Sequence, residues 1–404
     1  MQNSSELIKR IKHHIQQLSV TIGERPTGSA ANHRAEHYIK QIFLDNQLQV
    51  KLQKFDCIDW EKNKTTLHIG ETEVHVEPSP YSLPCNVQAD IAVVENISQL
   101  EQIDLAGKIA VLCGGLTQEP LMPKNFSFYN PEHHQKIIHL LEEKKPAAIL
   151  TASLNDKQLV PVFEDGDFDI SSAVFSTNDK DVIIQSTSPI HLSIDSRRKK
   201  ATGANVIARR NQTTRNKFVV TAHFDTKPGT LGALDNAVGV AVLLTLSELL
   251  KDTSLINAGV EFVAFNGEDY FSMPGQTAYL NTYGSEFNQI TLAINCDGLG
   301  LKNSKTSISF MECSEKCVSQ IESIRQSFRT IEQLPPWYQG DHMLFASAQV
   351  PTLAITSTGI FDLVDTVIHT TRDTQDLTDP GLIYEACLFL QAVMNSLGQD
   401  ASQG

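Results

Sequence analysis

Between residues 5 and 48 the apolar positions recur at helical spacing in two blocks. They are parted by the turn-rich run Gly23-Glu24-Arg25-Pro26-Thr27-Gly28-Ser29, which predicts helix, loop, helix. After Val50 the spacing shortens to that of strands, over 51–57, 66–69, 74–76 and 89–94. From 59 to 200 the chain reads as a separate module of short strands and one or two helices. Its markers are a strand in Ala106-Gly107-Lys108-Ile109-Ala110-Val111-Leu112, a helix over 132–144, and strands over 147–150, 172–175 and 182–184. The basic run Arg197-Arg198-Lys199-Lys200 closes the module, and that shift in composition sets a domain boundary.

Beyond 205 the pattern alternates between strands at 205–208, 218–222, 260–265, 292–295 and 351–355 and helices at 236–251, 275–283, 316–328, 342–348 and 381–397. Such alternation is written by βαβ units. The expected class is therefore α/β: a mixed, mostly parallel central sheet flanked by helices, with an inserted smaller β-rich α+β domain. The expected division is 1–58 with 201–404 as one domain and 59–200 as the insert. A chain of 404 residues is longer than one core usually supports, which agrees with two domains.

Composition narrows the partners. With 41% hydrophobic and 20% charged residues the chain is of ordinary globular type. Its formal charge of −14 argues against nucleic acid or an anionic membrane as partner, since both favour a basic patch. The first residues show no apolar core of a signal peptide, and the longest apolar stretch, 237–250, is too short to span a bilayer. The seven cysteines, Cys57, Cys85, Cys113, Cys296, Cys313, Cys317 and Cys387, are odd in number and form no C-x-x-C pair. These features lead us to expect reduced thiols and a cytoplasmic location.

Candidate chemistry gathers where the buried strands end. His223, Asp225, Asp235, Glu268, Asp269, Asp297 and His369 each follow an apolar run or open a helix, and the C-terminal edge of an open α/β sheet is where sites form. Imidazole nitrogens and carboxylate oxygens are the ligands a catalytic Zn²⁺ takes, with one position left for water. His223, Asp235, Asp269, Asp297 and His369 suffice for two metals if one carboxylate bridges, and Asp235 is the candidate bridge. Asp225, two residues past His223, is placed to accept the other imidazole N–H, and Asp373 to order the His369 loop. Glu268 is the candidate general base.

Six motifs in order make a specific likeness. They are Ala222-His223-Phe224-Asp225, Gly232-Ala233-Leu234-Asp235-Asn236-Ala237-Val238-Gly239, Phe265-Asn266-Gly267-Glu268-Asp269, Asn295-Cys296-Asp297, Gly340-Asp341-His342 and His369-Thr370-Thr371-Arg372-Asp373-Thr374. The series resembles the co-catalytic di-zinc aminopeptidase family, which includes aminopeptidase Y, aminopeptidase S and, more distantly, glutamate carboxypeptidase. Residues 23–29 resemble that family's N-terminal loop, and 59–200 an inserted protease-associated domain. The resemblance implies the zinc exopeptidase fold and two divalent metals, Zn²⁺ first, with Mn²⁺ or Co²⁺ as substitutes. It implies one metal on His223, Asp235 and Asp297, the other on Asp235, Asp269 and His369, a hydroxide between them, and a cis peptide after Asp235. The implied substrate is a peptide with a free N-terminus, cleaved after its first residue. Two departures stand out: Asp269 where the family commonly has Glu, and Gly340 where Ser or Thr is usual.

By position relative to those motifs, Leu299, Tyr338, Phe361, Val364 and Ile368 are expected to line the pocket for the N-terminal side chain, with Tyr338 also available to an oxyanion. Competing readings are a glutaminyl cyclase, a carboxypeptidase, and a non-catalytic binding protein on the same scaffold. The acidic run Glu164-Asp165-Gly166-Asp167-Phe168-Asp169 reads as a solvated turn rather than a calcium loop, and His133-His134 as surface.

Overall fold

Phe218-Val219-Val220-Thr221-Ala222 forms the middle of the strand Lys217–His223, and its alternate side chains enter two different cores. Phe218, Val220 and Ala222 join one cluster, while Val219 joins another with Val263, Phe265, Tyr279 and Phe345. A strand covered on both faces needs no polar alternation, hence the continuous apolar run. The computed structural model describes residues 4–126, 128–155, 159–210, 216–251, 258–364 and 366–400. One compact unit comprises Met1–Cys57 and Ala201–Gly404, the other Ile58–Lys200.

In the first unit the strands lie in the order Ile331–Gln333, Thr306–Met311, Thr352–Ser357, Ile290–Cys296, Lys217–His223, Gly259–Phe265, Ile190–Arg210 and Gln49–Ile69. The four from Thr352–Ser357 to Gly259–Phe265 are mutually parallel, and antiparallel pairs flank them. This is the mixed, mostly parallel sheet the sequence pattern implies. Helix Val238–Leu249 buries all its residues from Val238 to Ser247, which explains why its sequence lacks a polar face. Among the described residues no helix is long and apolar enough to cross a membrane.

The second unit holds a five-stranded sheet in the order Val76–Pro78, Ser172–Phe175, Ala148–Ala152, Ile109–Leu112, Ile91–Val94, parallel except at its first pair. Apolar clusters cover both faces of this sheet. Two strands of 21 residues each, Gln49–Ile69 and Ile190–Arg210, lead out of the first unit and back. The run Arg197-Arg198-Lys199-Lys200 lies inside the returning strand, so the polar shift marks no loop.

Three local expectations change. Residues 182–184 are helical, within Lys180–Ile184: a short turn begun by Ser176, whose hydroxyl accepts the Asn178 N–H, leads into it, and of the three residues only Ile183 is buried. The strands Thr306–Met311 and Ile331–Gln333 escape the pattern because Thr306, Ser307 and Ser309 are buried polar residues. Ser309 Oγ, for instance, donates to the carbonyls of Leu334 and Pro335.

Helix Ser4–Gln16 buries His14 along with Leu7, Ile11 and Ile15, and His14 Nδ1 lies 2.6 Å from Tyr38 Oη. Burial, helped by His13 and Arg10, lowers its pKa from 6.5 to about 3. The unfolded chain takes up this proton below its ordinary pKa while the folded chain refuses it until far lower. Stability from this group is therefore complete above pH 6.5 and falls as pH drops toward 3. Between pH 7.5 and pH 5 the wild type should lose about 2 kcal/mol more than His14→Leu in urea unfolding. Equal losses would show that His14 does not carry the slope.

Candidate metal centre

From the strand Lys217–His223 the chain passes through helix Val238–Leu249 to Gly259–Phe265 on one side, then through helix Pro274–Tyr283 to Ile290–Cys296 on the other. Strand order reverses there, and the crevice at the C-terminal ends opens between the diverging connections. His223 is the last residue of the first strand, Glu268 and Asp269 follow the second, and Asp297 follows the third. Asp235 stands in the break before helix Val238–Leu249, at φ −120° and ψ 83°, and its peptide bond to Asn236 is cis.

These strand ends bring together all five expected ligands. Asp235 Oδ1 lies 3.0 Å from His223 Nε2, and its Oδ2 lies 2.9 Å from His369 Nε2. Asp297 Oδ2 is 3.7 Å from His223 Nε2, and Asp269 Oδ1 is 3.0 Å from His369 Nε2. One carboxylate thus turns one oxygen to each imidazole, and each imidazole faces one further aspartate. Both ring nitrogens of His223 are buried and make no hydrogen bond. An orphaned imidazole aimed at carboxylate oxygens is what a divalent cation would satisfy, so the donor set fits such an ion. Asp269 Oδ2 accepts the Lys227 N–H at 3.1 Å, while its Oδ1 faces His369 Nε2.

The supports differ from the expected ones. Asp225 Oδ1 is 3.7 Å from His223 Nδ1, too far for a hydrogen bond. Its two oxygens instead accept the backbone N–H groups of Glu268 and Asp269, at 3.2 and 3.1 Å, and the Thr27 hydroxyl. Asp225 therefore positions the Glu268-Asp269 turn. Asp373 accepts the N–H groups of Leu234 and Asp235 at 2.7 and 3.0 Å, tying the His369 loop to the Asp235 turn. Asn236 Oδ1 accepts the Gly239 N–H while its Nδ2 donates to Cys296 O, joining the helix start to the residue before Asp297. Gly232 has φ +58°, and a Cβ there would sit 2.4 Å from Asp235 O.

Electrostatics follow from crowding acids in a buried place. Burial lowers the pKa of His223, and partial burial that of His369, whose side chain is 46% exposed, but neighbouring carboxylates, Asp297 first for His223 and Asp269 first for His369, raise both well above 6.5. Burial raises Glu268 well above its ordinary value; the His223 charge opposes this, and Asp269, Asp341 and Asp297 add to it. Burial also lifts Asp341 to about 7, where its Oδ1 accepts from Gln276 Nε2. Acids held up in this way signal a cluster short of positive charge.

The expected pocket residues divide. Tyr338 is 73% exposed, and Phe361 and Val364 are also exposed. Trp337, which the sequence reading passed over, stacks edge-on against Phe361 at 5.8 Å, and its carbonyl lies 2.9 Å from His342 Nε2. Ile368 packs against Leu234 and Ile360, beneath the His369 loop. Leu299 is a correction: three residues past the strand Ile290–Cys296, it is fully buried among the side chains of the main core rather than exposed at a pocket.

Among the described residues one further group could hold an ion: Glu119, His133 and His134. His134 is buried rather than on the surface, and its Nδ1 accepts the Met122 N–H at 3.0 Å. Its proton must then sit on Nε2, the atom facing Glu119, which bars that nitrogen from a metal. In the acidic run, Asp165 accepts the N–H groups of Lys124 and Asp167, and the Arg198 guanidinium binds Asp169 and the carbonyls of Asp165 and Phe168. A side-chain cation fills the place a calcium would need.

The model of Peptidase family M28 matches residues 205–393. A probable leucine aminopeptidase 2 of Aspergillus oryzae is 25% identical over 292 residues, which cover 68% of this chain and 56% of that protein. Aminopeptidase YwaD of Bacillus subtilis is 25% identical over 315 residues, covering 75% of this chain and 65% of that protein. The chain thus spans less than two thirds of both relatives. Two solved structures are 20% identical to this chain and share its fold: a zinc aminopeptidase from Bacillus subtilis, with TM-score 0.77, and an aminopeptidase from Aneurinibacillus sp. strain AM-1, with TM-score 0.74. They cover 98% of this chain, over 95% and 93% of theirs. The family model thus matches the part of the chain that carries His223, Asp235, Asp269, Asp297 and His369, residues 205–393.

Proposed function

We propose that the protein is a metal-dependent aminopeptidase that removes the N-terminal residue from peptides. The observation that carries the reading is the Asp235 carboxylate, with one oxygen on His223 and the other on His369. A carboxylate so shared is suited to bridging two cations, held by His223, Asp235 and Asp297 and by Asp235, Asp269 and His369. The acidic excess supports a count of two: Asp225, Asp235, Glu268, Asp269, Asp297, Asp341 and Asp373 are crowded about two imidazoles and Arg25. Divalent ions held there, Zn²⁺ first, would supply Lewis acidity for acidifying a water and polarising the scissile carbonyl.

The chain's own residues do the rest. Glu268, half-buried and with a raised pKa, takes the proton of the attacking water and returns it to the leaving amine. Asp225 fixes the turn that carries it. The exposed Tyr338, Phe361 and Val364, with Trp337 beside them, form the apolar rim for the N-terminal side chain, and Ile368 supports it from below. We read Ile58–Lys200 as the inserted protease-associated-like unit.

The test is a panel of aminoacyl-p-nitroanilides, run before and after chelation and again with Zn²⁺, Mn²⁺ or Co²⁺ restored. We expect chelator-sensitive release, fastest for leucine, methionine or phenylalanine. Silence with metal bound would shift the reading to a cyclase or carboxypeptidase, and silence without metal to a binding protein.

A further inference from the structure

Arg25 lies in the turn-rich run that the catalytic reading leaves unused, yet it is fully buried. Its guanidinium makes no bond to a carboxylate. Nε donates to Phe224 O at 2.6 Å, Nη2 to Gly232 O at 2.8 Å, and Nη1 to the carbonyls of Leu231, Gly23 and Leu18 at 2.7, 3.2 and 3.3 Å. Phe224 is flanked by His223 and Asp225, and Leu231-Gly232 leads into Asp235. One planar cation therefore pins the strand end that carries His223 to the turn that carries Asp235. Its own backbone N–H is anchored by Thr226 Oγ1 at 3.0 Å.

The same segment reaches the other ligand turn. Thr27 Oγ1 lies 3.1 Å from Asp225 Oδ2 and 3.3 Å from Asn266 Oδ1. Asn32 and Asn266 exchange amide hydrogen bonds in both directions at 2.9 Å. Residues 25–32 thus hold both the His223 strand end and the Asn266–Asp269 turn, across separations of about 200 residues.

We propose that Arg25 is a positioning residue for the metal centre, setting the spacing of His223 and Asp235 through the backbone carbonyls that its guanidinium fork holds. The inference rests on the metal-centre reading above. The fork is what matters: a lysine ammonium keeps the charge but has three donors on a flexible stem, and it cannot reach acceptors spread over two turns. Removing the fork leaves the carbonyls of Phe224 and Leu231 buried without this partner. The burden falls on the geometry that binds cations, not on any group that touches substrate.

The experiment titrates Zn²⁺ and Mn²⁺ against a chelating indicator in wild type, Arg25→Lys and Thr226→Val, each checked for folding by circular dichroism. Arg25→Lys should bind metal about 10–100-fold more weakly, the loss typical when a partner that orients a ligand is removed. Thr226→Val, which frees only the Arg25 backbone N–H, should weaken it in the same direction by a smaller factor. Wild-type affinity in Arg25→Lys would overturn the proposal, because charge alone would then suffice. If Arg25→Lys does not fold, Thr226→Val decides: weaker binding supports the role, and unchanged binding overturns it. A wild type that binds no metal would instead sink the metal-centre reading itself.

Discussion

Glu268→Ala should bring turnover down by about 10²–10⁴-fold while leaving metal content close to that of the wild type. The two effects separate because of where the side chain stands. Asp235, Asp269 and Asp297 face the imidazoles of His223 and His369, while no such contact joins Glu268 to either ring. Its backbone N–H is held by Asp225, so truncating the side chain leaves the Asp269 turn in place. Steady-state kinetics and elemental analysis on the same preparation give both readouts. Retained activity would remove Glu268 from its role as base, and lost metal would make it a ligand.

Asp235→Ala should have the larger effect on the metals: on the proposed two-ion reading both would lose their shared ligand, and affinity should fall well beyond the roughly 100-fold typical of an outer partner. Activity should follow it below detection. Stability of the metal-free protein should fall as well. Asp235 lies 3.0 and 2.9 Å from the His223 and His369 imidazoles, whose hydrogen bonds and charge hold its pKa well below the usual carboxylate range against the effect of burial, so its removal leaves both cations without that partner. Thermal unfolding in chelator should give a melting temperature below that of the wild type, and added Zn²⁺ should stabilise only the wild type. A variant that still binds two ions would refute the bridge.

Legibility differed from place to place. The strand at 218–222 announces itself because both of its faces are buried, so that no polar residue interrupts it. The strand Thr306–Met311 stays hidden since its serines and threonine are as buried as its isoleucine: Ser309 Oγ donates to the carbonyls of Leu334 and Pro335, while Thr306 Oγ1 and Ser307 Oγ make no hydrogen bond. His223, Asp235, Asp269, Asp297 and His369 could be picked out because polar ligands at the ends of apolar runs stand out from their neighbours. Leu299 could not be told from a pocket residue: an apolar side chain beside a site looks the same whether it faces the cleft or the core.

By itself the sequence determined the alternation of strand and helix, the parallel character of the sheet and the chemical identity of the donors, because burial and donor type are properties each residue carries locally. Only the tertiary structure decided that Asp225 serves two backbone amides rather than the His223 imidazole, and that Asp373 clamps the Asp235 turn. It alone placed Arg25 beneath the centre, bonded to carbonyls 199 and 207 residues away. Hydrogen bonds over such separations have no period along the chain and cost the sequence only single polar residues, so their partners appear once the strands have set the turns side by side.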